Sequence, residues 1–163
     1  MIKIAVVCVS DRSYSGERED LSGPAIIKEL ADVAKTVEYV CVPDEKEQIK
    51  NELVRLCAPG LSAVITTGGT GVSPRDVTPE ATLSVAEKQV PGIAEAIRAK
   101  SLESTPTAML SRAVSVIRGG TLIINLPGSP KGAAECARII KPVLAHASQL
   151  LSGGVTDCAP RQT

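Results

Sequence analysis

Thr66 to Thr82 reads TTGGTGVSPRDVTPEAT, and its order of residue types predicts a strand end, a glycine loop and a helix in succession. The apolar run Ala63-Val64-Ile65 leads into it, while Thr78, Pro79 and Glu80 supply a capping residue, a first-turn proline and a first-turn acid. Gly68, Gly69 and Gly71 lack a Cβ, so this backbone can turn with positive φ, present consecutive N–H groups and let a phosphate approach closely. Tight packing of a strand-to-helix turn is the other use three glycines could have. The named phosphate loops do not fit. No Gly-Lys-Ser/Thr follows, and a dinucleotide pattern begun at Gly69 meets Pro74 where glycine or alanine is required.

Outward from this loop the chain alternates. Ile2 to Ser10 is an apolar, β-branched run of the kind buried on both faces of a parallel sheet. The polar segment Asp11 to Asp20 reads as a loop, and Ser22-Gly23-Pro24 opens a helix carrying Ile26, Ile27, Leu30 and Val33. Thr36 to Pro43 reads as a second strand. Asp44 and Glu47 have the spacing of a capping box before a helix with Ile49, Leu53, Leu56 and Cys57, closed by Pro59-Gly60. After the glycine loop a helix is expected over 79–87, with a second over 93–102 set off by Pro91-Gly92. The runs 113–117 and 122–126 flank Arg118-Gly119-Gly120-Thr121, a hairpin signal. Residues 131–151 then read as a long helix despite Pro142. Residues 1–151 are expected to form one domain, and 152–163 a loose tail. The predicted fold is a three-layer αβα sandwich whose mostly parallel sheet is made mixed by the hairpin.

Composition narrows the function. With 18 basic and 18 acidic residues the formal charge is zero, so nothing attracts the chain in bulk to nucleic acid or an acidic membrane. Trp and Phe are absent and Tyr numbers two, which leaves no stacking platform for bases. Five cysteines without a CxxC pair argue against a disulfide framework and a zinc knuckle, and Cys8 and Cys41 read as buried thiols. His146 stands alone. No long apolar stretch or leader-like start appears, so a cytoplasmic protein is expected.

In open α/β sheets ligands bind beyond the carboxyl ends of the strands. That rule gathers Ser10-Asp11, Asp44, Thr67 to Asp76 and the Asn125-Leu126-Pro127-Gly128 turn on one edge. Two carboxylates, Asp44 and Asp76, beside an anion cradle conflict unless a cation joins them. Mg²⁺, which takes one or two carboxylates together with phosphate oxygens, resolves the conflict and points to phosphoryl or nucleotidyl transfer. Asp44 as a helix cap and Asp76 as a turn residue or partner of Arg75 are the alternatives. Arg112 could fork onto a phosphate.

The motifs TTGGTG, PRDVTPEAT, AMLSR and IRGGTLIINLPGSPKG, with SDR followed by DLSGP at Asp20 to Pro24, together resemble the molybdopterin adenylyltransferase family. That family includes the MogA/MoaB proteins and the G domains of gephyrin and its plant counterpart, and the likeness runs over roughly residues 3–151. It implies a homotrimeric enzyme that binds molybdopterin and, with ATP and Mg²⁺, forms adenylyl-molybdopterin and pyrophosphate, for hand-over to a molybdenum insertase. It implies catalytic, metal-holding roles for Asp44 and Asp76. Substrate contacts would come from Ser10, Asp11, Asp20, Ser22 and Gly23, from Thr67, Gly68, Gly69, Thr70 and Gly71, and from Ser111, Arg112, Asn125, Pro127 and Gly128. Ser129 and Thr107 depart from residues frequent in relatives, and the longer carboxyl end of some bacterial members is missing. A non-catalytic molybdopterin carrier of the same fold is the rival reading, and a nicotinamide or flavin oxidoreductase a more distant one.

Overall fold

The computed structural model describes residues 1–57 and 60–153. In chain order the elements are β1 (Ile2–Val9), α1 (Asp11–Tyr14), α2 (Ser22–Leu30), β2 (Ala34–Val42), α3 (Lys46–Leu56), β3 (Ala63–Thr67) and α4 (Thr78–Ser84). There follow β4 (Lys88–Gln89), α5 (Pro91–Leu102), a 3₁₀ turn (Pro106–Leu110), β5 (Ser115–Arg118), β6 (Thr121–Leu126) and α6 (Pro130–Leu151). The six strands form one sheet in the order β2-β1-β3-β6-β5-β4. Pairings from β2 to β6 are parallel, and β6-β5 and β5-β4 are antiparallel. The expected mixed αβα sandwich is the observed one.

The strand period of two divides the core between the layers. From β1, Ile4 and Val6 turn to one face and pack with Ile26 and Leu30 of α2, Ile97 of α5, and Ala137, Ile140 and Leu144 of α6. Ala5, Val7 and Val9 turn to the other, against Ile49, Leu53 and Leu56 of α3 and Ala81 of α4. Because both faces are covered, β1, β3 and β6 are nearly continuous apolar runs.

Several boundaries differ from the sequence expectation. Asp11–Tyr14 is a short helix inside the expected loop, because Ser10 Oγ accepts the N–H of Ser13 at 3.2 Å and caps it. Val33 follows α2 in a turn, and β2 begins at Ala34, earlier than expected. The helix after the glycine loop stops at Ser84. Lys88 and Gln89 then pair with Ile117 and Val116 as a two-residue edge strand, too short and polar to carry a pattern. Pro91, expected as a break, occupies the first turn of α5. Asp44 does not cap α3: Glu45 is its N-cap, without a side-chain bond. Cys8 is buried, whereas Cys41 is only half-buried. The expected helix stop at Pro59 and the tail beyond residue 153 lie outside the described residues.

Candidate active site

The ends of β1, β2, β3 and β6 open onto one cleft of about 770 Å³. Parallel strands all point their carboxyl ends the same way, so the turns after them share an edge. Ser10, Asp11, Asp20, Ser22, Asp44, Thr67, Gly68, Gly69, Asp76 and Gly128 all line this cleft. Asp44 and Asp76, 32 residues apart by number, are thereby brought to a common wall. Thr70, Gly71, Ser111 and Pro127 instead line a second hollow of about 260 Å³, walled by carbon from Ile97, Ala108 and Leu110. Ser129 borders both spaces. The glycine loop is thus a partition with an acidic cleft on one side and a smaller, more apolar hollow on the other.

Glycine is required where the partition meets the sheet. Gly68 (φ +100°) and Gly69 (φ +64°) occupy the left-handed region. A Cβ on Gly68 would stand 2.3 Å from the carbonyl oxygen of Val9, a backbone atom that cannot yield; on Gly69 it would meet Thr78 Oγ1 at 2.3 Å and Asp44 Oδ1 at 3.1 Å. Gly68 N–H bonds Leu126 O at 3.1 Å, continuing the ladder, and Thr78 Oγ1 donates to Gly68 O at 2.9 Å. The N–H groups of Gly69, Thr70 and Gly71 have no acceptor among the described residues, which leaves three successive donors for an anion.

The acids are arranged by backbone. Asp11 N–H donates to Asp44 Oδ2 at 2.9 Å, and Asp44 N–H donates to Asp11 Oδ1 at 3.0 Å, so the turns after β1 and β2 clasp each other. Asp76 Oδ2 accepts Ser73 N–H at 3.1 Å. Asp44 and Asp76 each keep one oxygen that no donor among the described residues engages. Burial pushes the Asp44 carboxyl up from the ordinary aspartate range. The charges of Asp11 and Asp76 push the same way, against the Asp11 N–H and the Arg75 charge. Like charges crowded in this way favour a cation between them.

Several of the expected contact residues also hold the architecture. Asp20 accepts the N–H groups of Ser22 and Gly23, each at 2.9 Å, and the Tyr39 hydroxyl at 2.6 Å, so it holds the start of α2. Ser22 Oγ donates to Gly128 O at 2.6 Å and Thr67 Oγ1 to Pro127 O at 2.7 Å, pinning the NLPG turn. Gly23 is buried under Tyr39. Asn125 is 1% exposed, and its Nδ2 donates to Thr66 Oγ1 (3.0 Å) and Thr82 Oγ1 (2.9 Å). It is a core residue.

Arg112 also differs from its expected role. Its Nε donates to Gly71 O at 2.6 Å, its Nη2 to Asp76 O at 2.6 Å, and it pairs with Glu80. The guanidinium holds the partition from behind. Reading the sequence assigned no cleft role to Arg12 and Arg18, and named Arg75 only as a partner of Asp76; all three line the cleft, and Arg75 pairs with Asp11 and Glu45 instead. Their signal was weak: single arginines in polar segments.

Residues 5–146 match the family described as a probable molybdopterin binding domain. The chain belongs to that family. Among its relatives, the molybdopterin adenylyltransferase of Helicobacter pylori (strain J99) is 42% identical over 156 residues, 93% of this chain and 89% of the relative. The molybdopterin adenylyltransferase of Escherichia coli K12 is 40% identical over 175 residues, covering 98% and 90%. The crystal structure of the molybdopterin biosynthesis enzyme MoaB from Thermus thermophilus superposes with a TM-score of 0.87 at 47% identity, over 94% of this chain and 98% of that one. Among the described residues no helix is long and apolar enough to cross a membrane.

Proposed function

We propose that the protein is a molybdopterin adenylyltransferase, joining molybdopterin to the adenylyl group of ATP with release of pyrophosphate. The observation that carries this reading is the convergence of Asp44 and Asp76 on one cleft beside the unclaimed amides of the glycine loop. Family membership and relatives of that name support it.

Asp44 and Asp76 fit Mg²⁺: both are hard oxygen donors with a free oxygen, and among the described residues no cluster of three or more His, Cys, Asp or Glu forms a complete cage. The ion would therefore be shared with the triphosphate, and when bound it supplies charge neutralisation of the polyphosphate. Asp44 and Asp76 orient the triphosphate, while the amides of Gly69, Thr70 and Gly71 and the NLPG turn hold the pterin side. An oxygen of the molybdopterin phosphate attacks the α-phosphorus; the new P–O bond forms as the α–β bridge breaks, and its electron pair leaves on pyrophosphate. A phosphate monoester with a second pKa of about 6 is already largely dianionic at neutral pH, so the chain needs no general base. Positioning carries the rate.

We further propose a single domain over residues 1–151 and a cytoplasmic homotrimer that passes its product to a molybdenum insertase; light scattering on the purified protein tests the trimer. The activity is tested by pyrophosphate release from ATP with molybdopterin present. Asp76→Asn is expected to abolish release while molybdopterin stays bound. Wild-type turnover in that variant overturns the assignment, and binding without release in the wild type establishes a carrier instead.

A further inference from the structure

Arg75 closes the glycine loop segment, and its two edges have different partners. Nε and Nη2 fork onto Asp11, with Nε to Oδ2 at 3.1 Å and Nη2 to Oδ1 and Oδ2 at 3.0 and 2.9 Å. Nη1 pairs with Glu45 Oε1 at 3.0 Å. The Asp11 edge is anchored, because Asp11 is itself clasped to the Asp44 turn through reciprocal backbone bonds. The Glu45 edge is a lone contact between side chains 55% and 52% exposed, and pairs this exposed hold weakly. Arg75 and Asp11 line the cleft, and Glu45 does not.

The cleft is also short of positive charge for a polyphosphate. Asp11, Glu19, Asp20, Asp44 and Asp76 face Arg12, Arg18 and Arg75 across it. Arg75 is the arginine whose position is fixed relative to Asp44, through Asp11.

We propose that Arg75 is a catalytic, phosphate-binding residue of this cleft, and that Glu45 competes with the triphosphate for its Nη1 edge. The inference rests on the adenylyl-transfer reading and adds a group to it. On binding, Nη1 exchanges Glu45 for an oxygen of the β- or γ-phosphate while the Asp11 fork is kept. As the α–β bond breaks, negative charge accumulates on the departing pyrophosphate, where a guanidinium forms charge-assisted hydrogen bonds. The exchange moves no proton.

The test is titration calorimetry of Mg-ATP, and separately of magnesium pyrophosphate, into the wild-type chain, Arg75→Gln, Glu45→Gln and the double variant, each checked for an unchanged melting temperature. Arg75→Gln is expected to weaken Mg-ATP binding by about 10- to 100-fold, the worth of a charged hydrogen bond. Glu45→Gln is expected to tighten it by roughly 2- to 5-fold, the worth of an exposed ion pair. The double variant should match Arg75→Gln alone, since Glu45 acts through Arg75. A purely structural pair would not give opposite signs. The inference falls if Glu45→Gln binds no tighter, if Arg75→Gln stays within about twofold of wild type, against the loss just derived, or if the double variant keeps the Glu45→Gln gain. When wild type and variants all release pyrophosphate equally, the inference falls alone and adenylyl transfer stands. A wild-type chain that neither binds Mg-ATP nor releases pyrophosphate removes both.

Discussion

Replacing Asn125 by leucine tests whether the asparagine of the NLPG turn is a ligand contact or part of the core. On β6 the residue stands in register with Thr66 of β3. Its side chain makes three hydrogen bonds, donating to Thr66 Oγ1 and Thr82 Oγ1 and accepting Val114 N–H at 3.3 Å. Leucine has nearly the same shape, so the cavity contribution is small and the loss is polar. At about 1 kcal/mol net per bond, with an added penalty for the stranded Val114 amide and some return from the buried leucine, the cost is about 2–4 kcal/mol. For a domain of this size each kcal/mol lowers the melting temperature by about 2–4 °C, so a fall of roughly 5–15 °C is expected. Calorimetry or circular dichroism measures it. Mg-ATP and molybdopterin affinity, titrated well below the lowered transition, should remain close to wild type. An unchanged melting temperature together with lost binding of either substrate would refute the reasoning and return Asn125 to the site.

Gly68→Ala places a Cβ against Val9 O in a left-handed backbone and is expected to cost at least about 1–3 kcal/mol, read as a lower urea midpoint. Asp44 has a raised pKa in the fold, so its contribution to stability is present below the unfolded aspartate value and is lost as pH rises through the folded one. Asp44→Asn should therefore be more stable than wild type at pH 7 and lose that advantage near pH 3, as paired denaturation curves will report. The Asp44 carboxyl, followed by NMR titration, should titrate lower in Asp76→Asn, because the neighbouring charge that raises it is gone. Glu80 behaves oppositely. The Arg112 hydrogen bond lowers its pKa, so its stabilisation is present above the unfolded glutamate value and fades as pH falls through the folded one. With side chains 37% and 43% exposed, Glu80→Gln should cost under about 1 kcal/mol, measured by urea denaturation at pH 7.

Much of the architecture was legible in the one-dimensional pattern. Apolar runs at 2–10, 63–65 and 122–126 are nearly continuous because those strands are covered on both faces, and the Gly119-Gly120 turn announces the antiparallel pair. The identities that make the cleft were also readable: glycines that must turn, Asp44 just after a strand, and Asp76 at the end of the glycine-loop segment. Local spacing could not tell which polar residues face the cleft and which face inward. Asn125 and Arg112 carry the same donors and acceptors as ligand contacts, yet their partners are Thr82 and Gly71, residues remote in sequence. A hydrogen-bonding side chain names its chemistry; only the folded chain supplies its partner. The sequence by itself therefore determined the layers and the edge of the sheet on which the cleft and its two carboxylates, Asp44 and Asp76, lie. The tertiary structure decided the partition into two spaces and the seat of Arg75 between Asp11 and Glu45, because both depend on how separate turns pack.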